Sequence, residues 1–135
     1  MRRPLRHLSY PALLAALLSL VLAIATAAET LGHHPGSHAA RERDGRVRLD
    51  VATAVPDACT TIAAVEKGAP PSVQPPRGAE PVTVRLDRPA GLACATVVTA
   101  VRREAVLEIP PDIATLHLFI VGPEGVRATE RVPIR

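Results

Sequence analysis

The stretch LHLFIVGPEGVRATERVPI, residues 116–134, decides the class of fold because its pattern is that of a β-hairpin. Leu116, Leu118 and Ile120 alternate with their neighbours, and a period of two is typical of a β-strand. The GPEG sequence that follows places proline and glycine at favoured turn positions. In the returning half the apolar residues again share one parity: Val126, Ala128, Val132 and Ile134. The chain is therefore predicted to end in two antiparallel strands.

Upstream segments also have strand patterns, and they cover residues 46–51, 59–66, 82–86, 93–101 and 105–109. In the first of them Val47, Leu49 and Val51 alternate with charged residues, as in a strand with one solvated face. The segment ACATVVTAV, residues 93–101, is uncharged and apolar on both faces, which predicts a central strand. No amphipathic helix pattern of useful length accompanies these segments.

The pattern predicts an all-β fold, a seven-stranded β-sandwich of the immunoglobulin or fibronectin type that follows a cleavable signal peptide. The regular turn signals and an inter-strand pair of cysteines support it. Two features of such domains are missing. The chain has no tryptophan to bury between the sheets, and its single tyrosine, Tyr10, precedes the domain. We therefore expect the architecture without assigning a family.

Residues 67–81, KGAPPSVQPPRGAEP, contain too much proline and glycine for a helix or a central strand. They predict a long extended loop. Its Pro-Pro pairs favour the polyproline conformation, which suits either a recognition segment or a stiff crossover between two sheets. We favour the crossover, because it requires nothing beyond stiffness.

The first 27 residues have the three parts of a secretory signal peptide. A basic start precedes an apolar run, and small residues offer a cleavage site after Ala27 or Ala28. A retained membrane anchor is the alternative, because the apolar run is close to the lower length limit for a span. We expect cleavage, export to the periplasm or exterior of a bacterium, and no stable membrane insertion afterwards.

Cleavage changes the charge of the chain. The full sequence has 16 Lys and Arg residues against 13 Asp and Glu residues, a formal net charge of +3. Three arginines leave with the signal peptide and no acidic residue does, so the mature chain of about 107 residues is neutral. Because nucleic-acid binding depends on clustered basic residues in the mature protein, we do not expect nucleic acid as a partner.

Cys59 and Cys94 are the only cysteines, an even number in an exported chain, and they predict a structural disulfide. Phe119 is the only aromatic residue after the signal peptide, so a core of Val, Leu, Ile and Ala benefits from a crosslink. A two-thiol metal site and a redox pair are the alternatives. They fit less well, because the pair lacks both Cys-x-x-Cys spacing and further ligands nearby.

Residues 28–45 show no apolar periodicity and predict a flexible arm ahead of a sandwich domain at residues 46–135. The arm contains His33, His34 and His38, and imidazole binds copper, zinc and nickel. In an extended chain the adjacent His33 and His34 point to opposite sides. The Pro35-Gly36 pair prevents the helix that would place His34 and His38 on one face. Weak metal capture and a polar tether are the two hypotheses for the arm.

Few side chains of the mature chain suit catalysis, namely Ser37, Ser72, Lys67 and, within the domain, His117. A nucleophile needs a base within reach and a third group that orients the base, and the pattern offers no such set. His117 has the parity opposite to Leu116, which predicts a surface or sheet-edge histidine. We therefore expect neither an enzyme nor a cofactor.

A binding or assembly-accessory module is the expected function. It would meet another protein through sheet edges or loops, as a monomer or weak oligomer in the periplasm or outside the cell. The Pro-rich loop and the terminal VPIR, residues 132–135, are the candidate docking places. The alternative is a periplasmic accessory protein that handles copper or zinc with the histidine arm.

Overall fold

The computed structural model describes residues 36–135. These residues form seven strands and no helix: β1 (His38–Arg41), β2 (Val47–Val55), β3 (Thr61–Lys67), β4 (Glu80–Asp87), β5 (Thr99–Leu107), β6 (Thr115–Gly122) and β7 (Gly125–Pro133). Sheet A has the strand order β1-β2-β5, and sheet B has the order β3-β4-β6-β7. The two sheets pack together around one core, which confirms the all-β, sandwich-like prediction.

The core between the sheets consists of aliphatic side chains. Val47, Leu49 and Val51 of β2 are 0% exposed, and so are Leu116 and Leu118 of β6. Successive side chains of a strand point to opposite faces, so the alternation in the sequence places one face of each strand in the core. Complete burial of such a side chain contributes about 2 kcal/mol, which makes these strands the main source of stability.

The predicted terminal hairpin is present. β6 pairs antiparallel with β7 along its whole length, and Pro123 and Glu124 form the turn between them. Gly125 follows the turn with a φ of 112°, a conformation that a residue with a Cβ adopts only with strain. The glycine in the GPEG sequence is therefore required by the geometry of the hairpin.

Sheet B contains one parallel pair of strands. β4 runs parallel to β6, with Val82 opposite Leu118 and Val84 opposite Ile120. In sequence, β5 lies between β4 and β6, and it belongs to sheet A. The chain therefore crosses from sheet B to sheet A and back again between these two strands. The sheets of an immunoglobulin-type sandwich are antiparallel, and sheet B departs from that pattern at this pair.

The Pro-rich segment joins two neighbours in one sheet. β3 and β4 are antiparallel partners in sheet B, and residues 68–79 connect them without a strand or helix. The predicted loop is confirmed, but the predicted crossover between sheets is wrong. Two hydrogen bonds turn the loop back onto sheet B: Gly68 N donates to Pro81 O at 2.8 Å, and Thr83 Oγ1 donates to Gly68 O at 2.8 Å.

Strand β1 lies within the segment for which the sequence predicted a flexible arm. Ala39 pairs with Leu49 of β2 and is only 4% exposed. On its other side, Arg41 N donates to Arg135 O at 2.8 Å, and Arg135 N donates to Ala39 O at 3.0 Å. The segment has no apolar period of its own, so its pattern carries no strand signal. It forms a strand because β2 on one side and Arg135 on the other accept and donate its backbone hydrogen bonds.

Strand β5 begins later than its sequence pattern predicts. Residues 92–98 have no regular structure, and β5 starts at Thr99 at the edge of sheet A. The central strand predicted for ACATVVTAV is therefore wrong, and the short strand predicted at residues 105–109 is the end of β5. β2 pairs with β5 only as far as Val55, because Pro56 cannot continue the ladder.

Residues 1–35 include the predicted signal peptide, His33 and His34, and these predictions lie outside the described residues. Within residues 36–135, no helix has the length and apolar character needed to cross a membrane. The strands of the described residues run from His38 to Pro133.

Candidate binding surface at the disulfide loop

The connection between β4 and β5, residues 88–98, is called the disulfide loop below. Cys59 and Cys94 form the predicted disulfide, with their Cα atoms 5.7 Å apart. Neither cysteine lies in a strand, which corrects the predicted inter-strand placement: Cys59 lies in the bend after β2, and Cys94 lies in the disulfide loop. Ala58 N also donates a hydrogen bond to Ala95 O at 3.1 Å. The loop is thus fastened to the bend by one covalent bond and one hydrogen bond.

Asp57 shapes the bend that presents Cys59. The residue is 6% exposed, and its Oδ1 accepts hydrogen bonds from the backbone N of Cys59 at 2.9 Å and of Thr60 at 2.8 Å. The hydroxyl of Thr60 donates to the same carboxylate at 3.0 Å, and Arg88 Nε lies 3.5 Å from Oδ2. An aspartate that accepts from the backbone two residues later forms an Asx turn. This turn fixes the position of the cysteine.

The carboxyl group of Asp57 is ionised at neutral pH although it is buried. Burial raises its pKa, whereas hydrogen bonds from Cys59 and Thr60, together with the charge of Arg88, lower it. The net result is a pKa below the ordinary value of 3.8. The base of the disulfide loop therefore holds a negative charge paired with a partly exposed arginine.

Three aliphatic side chains of the disulfide loop are exposed to solvent. Leu92 is 57% exposed, Val97 is 51% exposed and Val98 is 71% exposed. The other large apolar side chains exposed in residues 36–135 are Val106 of β5 and Val126 of β7. Single exposed apolar residues are normal on a protein surface, and three of them within residues 92–98 make this segment the candidate interaction site.

The disulfide also accounts for a group of possible metal ligands. The ligand atoms of Asp57, Cys59 and Cys94 lie within 4.8 Å of one another. Zinc and copper bind thiolates, but both sulfur atoms here are joined in the disulfide. The Asp57 oxygens already accept hydrogen bonds from the bend. In the oxidised protein these three side chains form a structural anchor.

Of the three histidines proposed as metal ligands, the described residues contain His38. It is the first residue of β1, exposed and opposite Asp50 of β2. His33 and His34 precede the described residues. Metal capture by this set of histidines stays a prediction.

His117 lies on β6, an interior strand of sheet B, so the predicted sheet-edge position is wrong. Its side chain is half-buried on the outer face, between Pro81 and Arg131 of the neighbouring strands. Its ring lies 4.7 Å from the ring of Phe119 at an interplanar angle of 62°. Nδ1 of His117 is buried and has no hydrogen-bond partner among residues 36–135. The parity argument placed this residue on the correct face but could not identify the strand as interior.

The two docking places predicted from the sequence, the terminal VPIR and the Pro-rich loop, differ in whether they are free to contact a partner. The terminal VPIR is already paired within the chain, because Ile134 bridges Ala39 of β1. The Pro-rich loop borders an open groove of about 540 Å³. Glu66 and Arg85 form an ion pair of 3.0 Å in the wall of this groove, and both are exposed. Its wall is thus partly charged, whereas the disulfide loop presents an apolar surface.

Of the side chains considered for catalysis, Ser37 makes structural contacts. Ser37 Oγ donates to Glu130 Oε2 at 2.8 Å and accepts from Ala52 N at 3.2 Å. Ser72 lies in an exposed turn with a φ of 66°, and Lys67 extends from the end of β3. The contacts of Ser37 hold the start of β1 against β2 and β7.

Two features of the candidate surface, the bend at Asp57 and the exposure of the disulfide loop, were not predicted from the sequence. The Asp-x-x-Thr pattern at residues 57–60 is the signal that could have indicated the bend. The composition of residues 92–98 carries no comparable signal, because a short apolar run has the same pattern in a buried strand and in an exposed loop.

No protein-family model matches the chain, and no curated protein or solved structure is similar to it. The candidate surface is therefore defined by its own geometry: a short apolar loop, the disulfide that fastens it, and the buried aspartate at its base.

Proposed function

We propose that this chain is an exported binding module that contacts another protein through the disulfide loop, without catalysis. The observation that carries the proposal is the exposure of Leu92, Val97 and Val98 on one covalently fastened segment. Removal of apolar surface from water is favourable by about 25 cal/mol per Å². A partner that covers these side chains gains that free energy.

The way the loop is held supports a binding role. The disulfide and the hydrogen bond from Ala58 to Ala95 restrict the loop in the free protein. A loop that is already ordered loses less conformational entropy on association, so more of the contact free energy appears as affinity. A protein partner fits a surface made of aliphatic side chains with a charged pair, Asp57 and Arg88, beside them.

An exported location is the second part of the proposal. The signal peptide predicted at residues 1–27 would deliver the chain across the membrane. Disulfides persist in the periplasm and outside the cell, where thiols are not kept reduced, and the Cys59–Cys94 bond is compatible with that location.

We also propose that the sandwich is a variant of the immunoglobulin or fibronectin type. In sheet A the first, second and fifth strands lie side by side, as they do in constant-type immunoglobulin domains. In those domains the fourth strand extends that sheet beside the fifth. Here β4 has joined sheet B, between β3 and β6, which creates the parallel pair.

Site-specific photo-crosslinking in cells of the source organism tests the binding role. A photoreactive residue replaces Val98 in the full chain, and a matched variant carries it at Val126, which is 43% exposed on β7. We expect a discrete adduct with another protein from position 98 and none from position 126. Absence of an adduct at position 98, or equal adducts at both, would show that the loop is not the binding surface.

A second pair of variants tests the side chains themselves. Val97→Ser with Val98→Ser should remove the adduct formed from a crosslinker at Leu92, and Val126→Ser should leave it unchanged. Both variants should keep the wild-type melting temperature, because the substituted residues are exposed. An adduct that survives the double substitution would contradict a contact through these valines.

A further inference from the structure

Strand β5 has a partner on one side only. It pairs with β2 from Val47↔Leu107 to Val55↔Thr99, and it is the last strand of sheet A. Within residues 36–135 no strand pairs with its other side. Along this nine-residue strand, every second residue directs its backbone N–H and C=O groups away from β2, and such an open edge can accept an added strand.

The charged residues on the outer face of β5, Arg102 and Glu104, form only diagonal ion pairs within the chain. Glu104 lies directly opposite Asp50 of β2, and like charges directly opposite each other destabilise a sheet. Arg102 lies opposite Ala52 and reaches diagonally to Asp50 at 3.0 Å. Glu104 likewise reaches diagonally to Arg48, at 3.0 Å, so neither Arg102 nor Glu104 has an opposite charge directly across from it on β2.

We propose that the free side of β5 binds a second copy of this chain, so that two β5 strands pair antiparallel about a twofold axis at Arg103. In that register Arg102 of each copy lies directly opposite Glu104 of the other, which forms two cross-strand ion pairs. Val101 lies opposite Ala105, and the 45% exposed Val106 lies opposite Ala100. The charge pattern of the strand is thus complementary to itself.

Arg103 is the residue that would oppose this pairing, because two copies of it meet at the axis. Its side chain is already held by its own chain: Nη1 donates to Ile62 O at 2.7 Å and to Ala63 O at 2.6 Å on β3. These bonds draw the guanidinium towards sheet B of the same copy. The mature chain is also close to neutral, so two copies do not repel each other strongly.

Analytical ultracentrifugation of the mature chain over a range of concentrations tests the proposal. We expect a reversible monomer–dimer equilibrium in the wild type. Arg102→Glu alone and Glu104→Arg alone place like charges opposite each other twice, and each should weaken dimerisation by about tenfold or more. Both residues are exposed, so the loss of their ion pairs with Asp50 and Arg48 should cost the fold little.

Mixing the two variants provides the decisive measurement. In a mixed dimer the two substituted side chains face each other with opposite charges, and the unchanged Glu104 of one variant faces the unchanged Arg102 of the other. The mixture should therefore dimerise about as strongly as the wild type, whereas each variant alone dimerises about tenfold or more weakly. Arg131→Glu, an exposed change on β7, is the control and should dimerise like the wild type. A wild type that stays monomeric, or a mixture that stays monomeric, would overturn the proposal.

This result is independent of the proposed binding role, because that role is tested by crosslinking from Val98 to a different protein.

Discussion

Asp57 combines burial with ionisation, and its pKa decides how the bend responds to acid. Its pKa in the folded protein lies below the ordinary value of 3.8, since the hydrogen bonds and Arg88 outweigh the effect of burial. The unfolded chain therefore binds a proton more readily than the folded protein. The ionised group stabilises the fold above about pH 3.8, and this contribution is lost as the pH falls through the folded-state pKa.

Asp57→Asn tests this linkage, because asparagine keeps an oxygen acceptor at the same place and removes the charge. We expect the variant to melt below the wild type at neutral pH, and the gap to close as the pH falls below about 3.8. Melting temperatures followed by circular dichroism across this range measure the gap. Asp44→Asn is the control. The pKa of Asp44 is also lowered, chiefly by a hydrogen bond from Arg46, but this pair is exposed, so the substitution should change the melting temperature little at any pH. A gap that does not change with pH would contradict the role of the charge.

At the scale of the strands, the sequence predicts those strands in which apolar and polar residues alternate. β2 and β6 are interior strands, and their apolar parity alone placed Val47 and Leu116 in the core. β1 has the sequence HAAR, with no such period, and its conformation comes from pairing with β2, which follows after a short turn, and from hydrogen bonds with Arg135 at the other end of the domain. The start of β5 depends on Pro56, which ends its partner strand. The cysteine count predicted the disulfide. The exposure of the disulfide loop could not be predicted, because it depends on how the other segments pack around the loop in the folded protein.

Ala39 and Ala40 provide a direct test of whether β1 is a structural strand. Ala39→Asp places a carboxylate at a position that is 4% exposed, where an unpaired buried charge costs about 3 kcal/mol or more. Ala40→Asp, one residue later on the opposite face, is exposed and should change the free energy of unfolding by about 0.5 kcal/mol or less. Urea denaturation of both variants measures the difference. Two equal and small effects would indicate the flexible arm that the sequence suggested.

At the scale of the whole molecule, the two sheets are joined along both corners. Arg135 and β1 exchange backbone hydrogen bonds where β1 approaches β7. On the opposite corner, Arg103 of β5 reaches the carbonyl oxygens of Ile62 and Ala63 on β3. The core between them contains only aliphatic side chains, because Phe119 lies on the outer face of sheet B. These links join segments that are distant in sequence.

The Cys59–Cys94 bond is the strongest of these links, and its loss should destabilise the whole sandwich. The two cysteines are 35 residues apart, and closing a loop of this length restricts the unfolded chain by about 4 kcal/mol. We expect a double variant, Cys59→Ala with Cys94→Ala, to lose about that much free energy of unfolding in urea. A reducing agent should bring the wild type to the same stability and leave the double variant unchanged. Native-state hydrogen exchange should become faster at Ala58, whose N–H bonds to Ala95, because the disulfide loop is no longer fastened there. An unchanged urea midpoint would mean that hydrogen bonds and packing alone hold the loop in place.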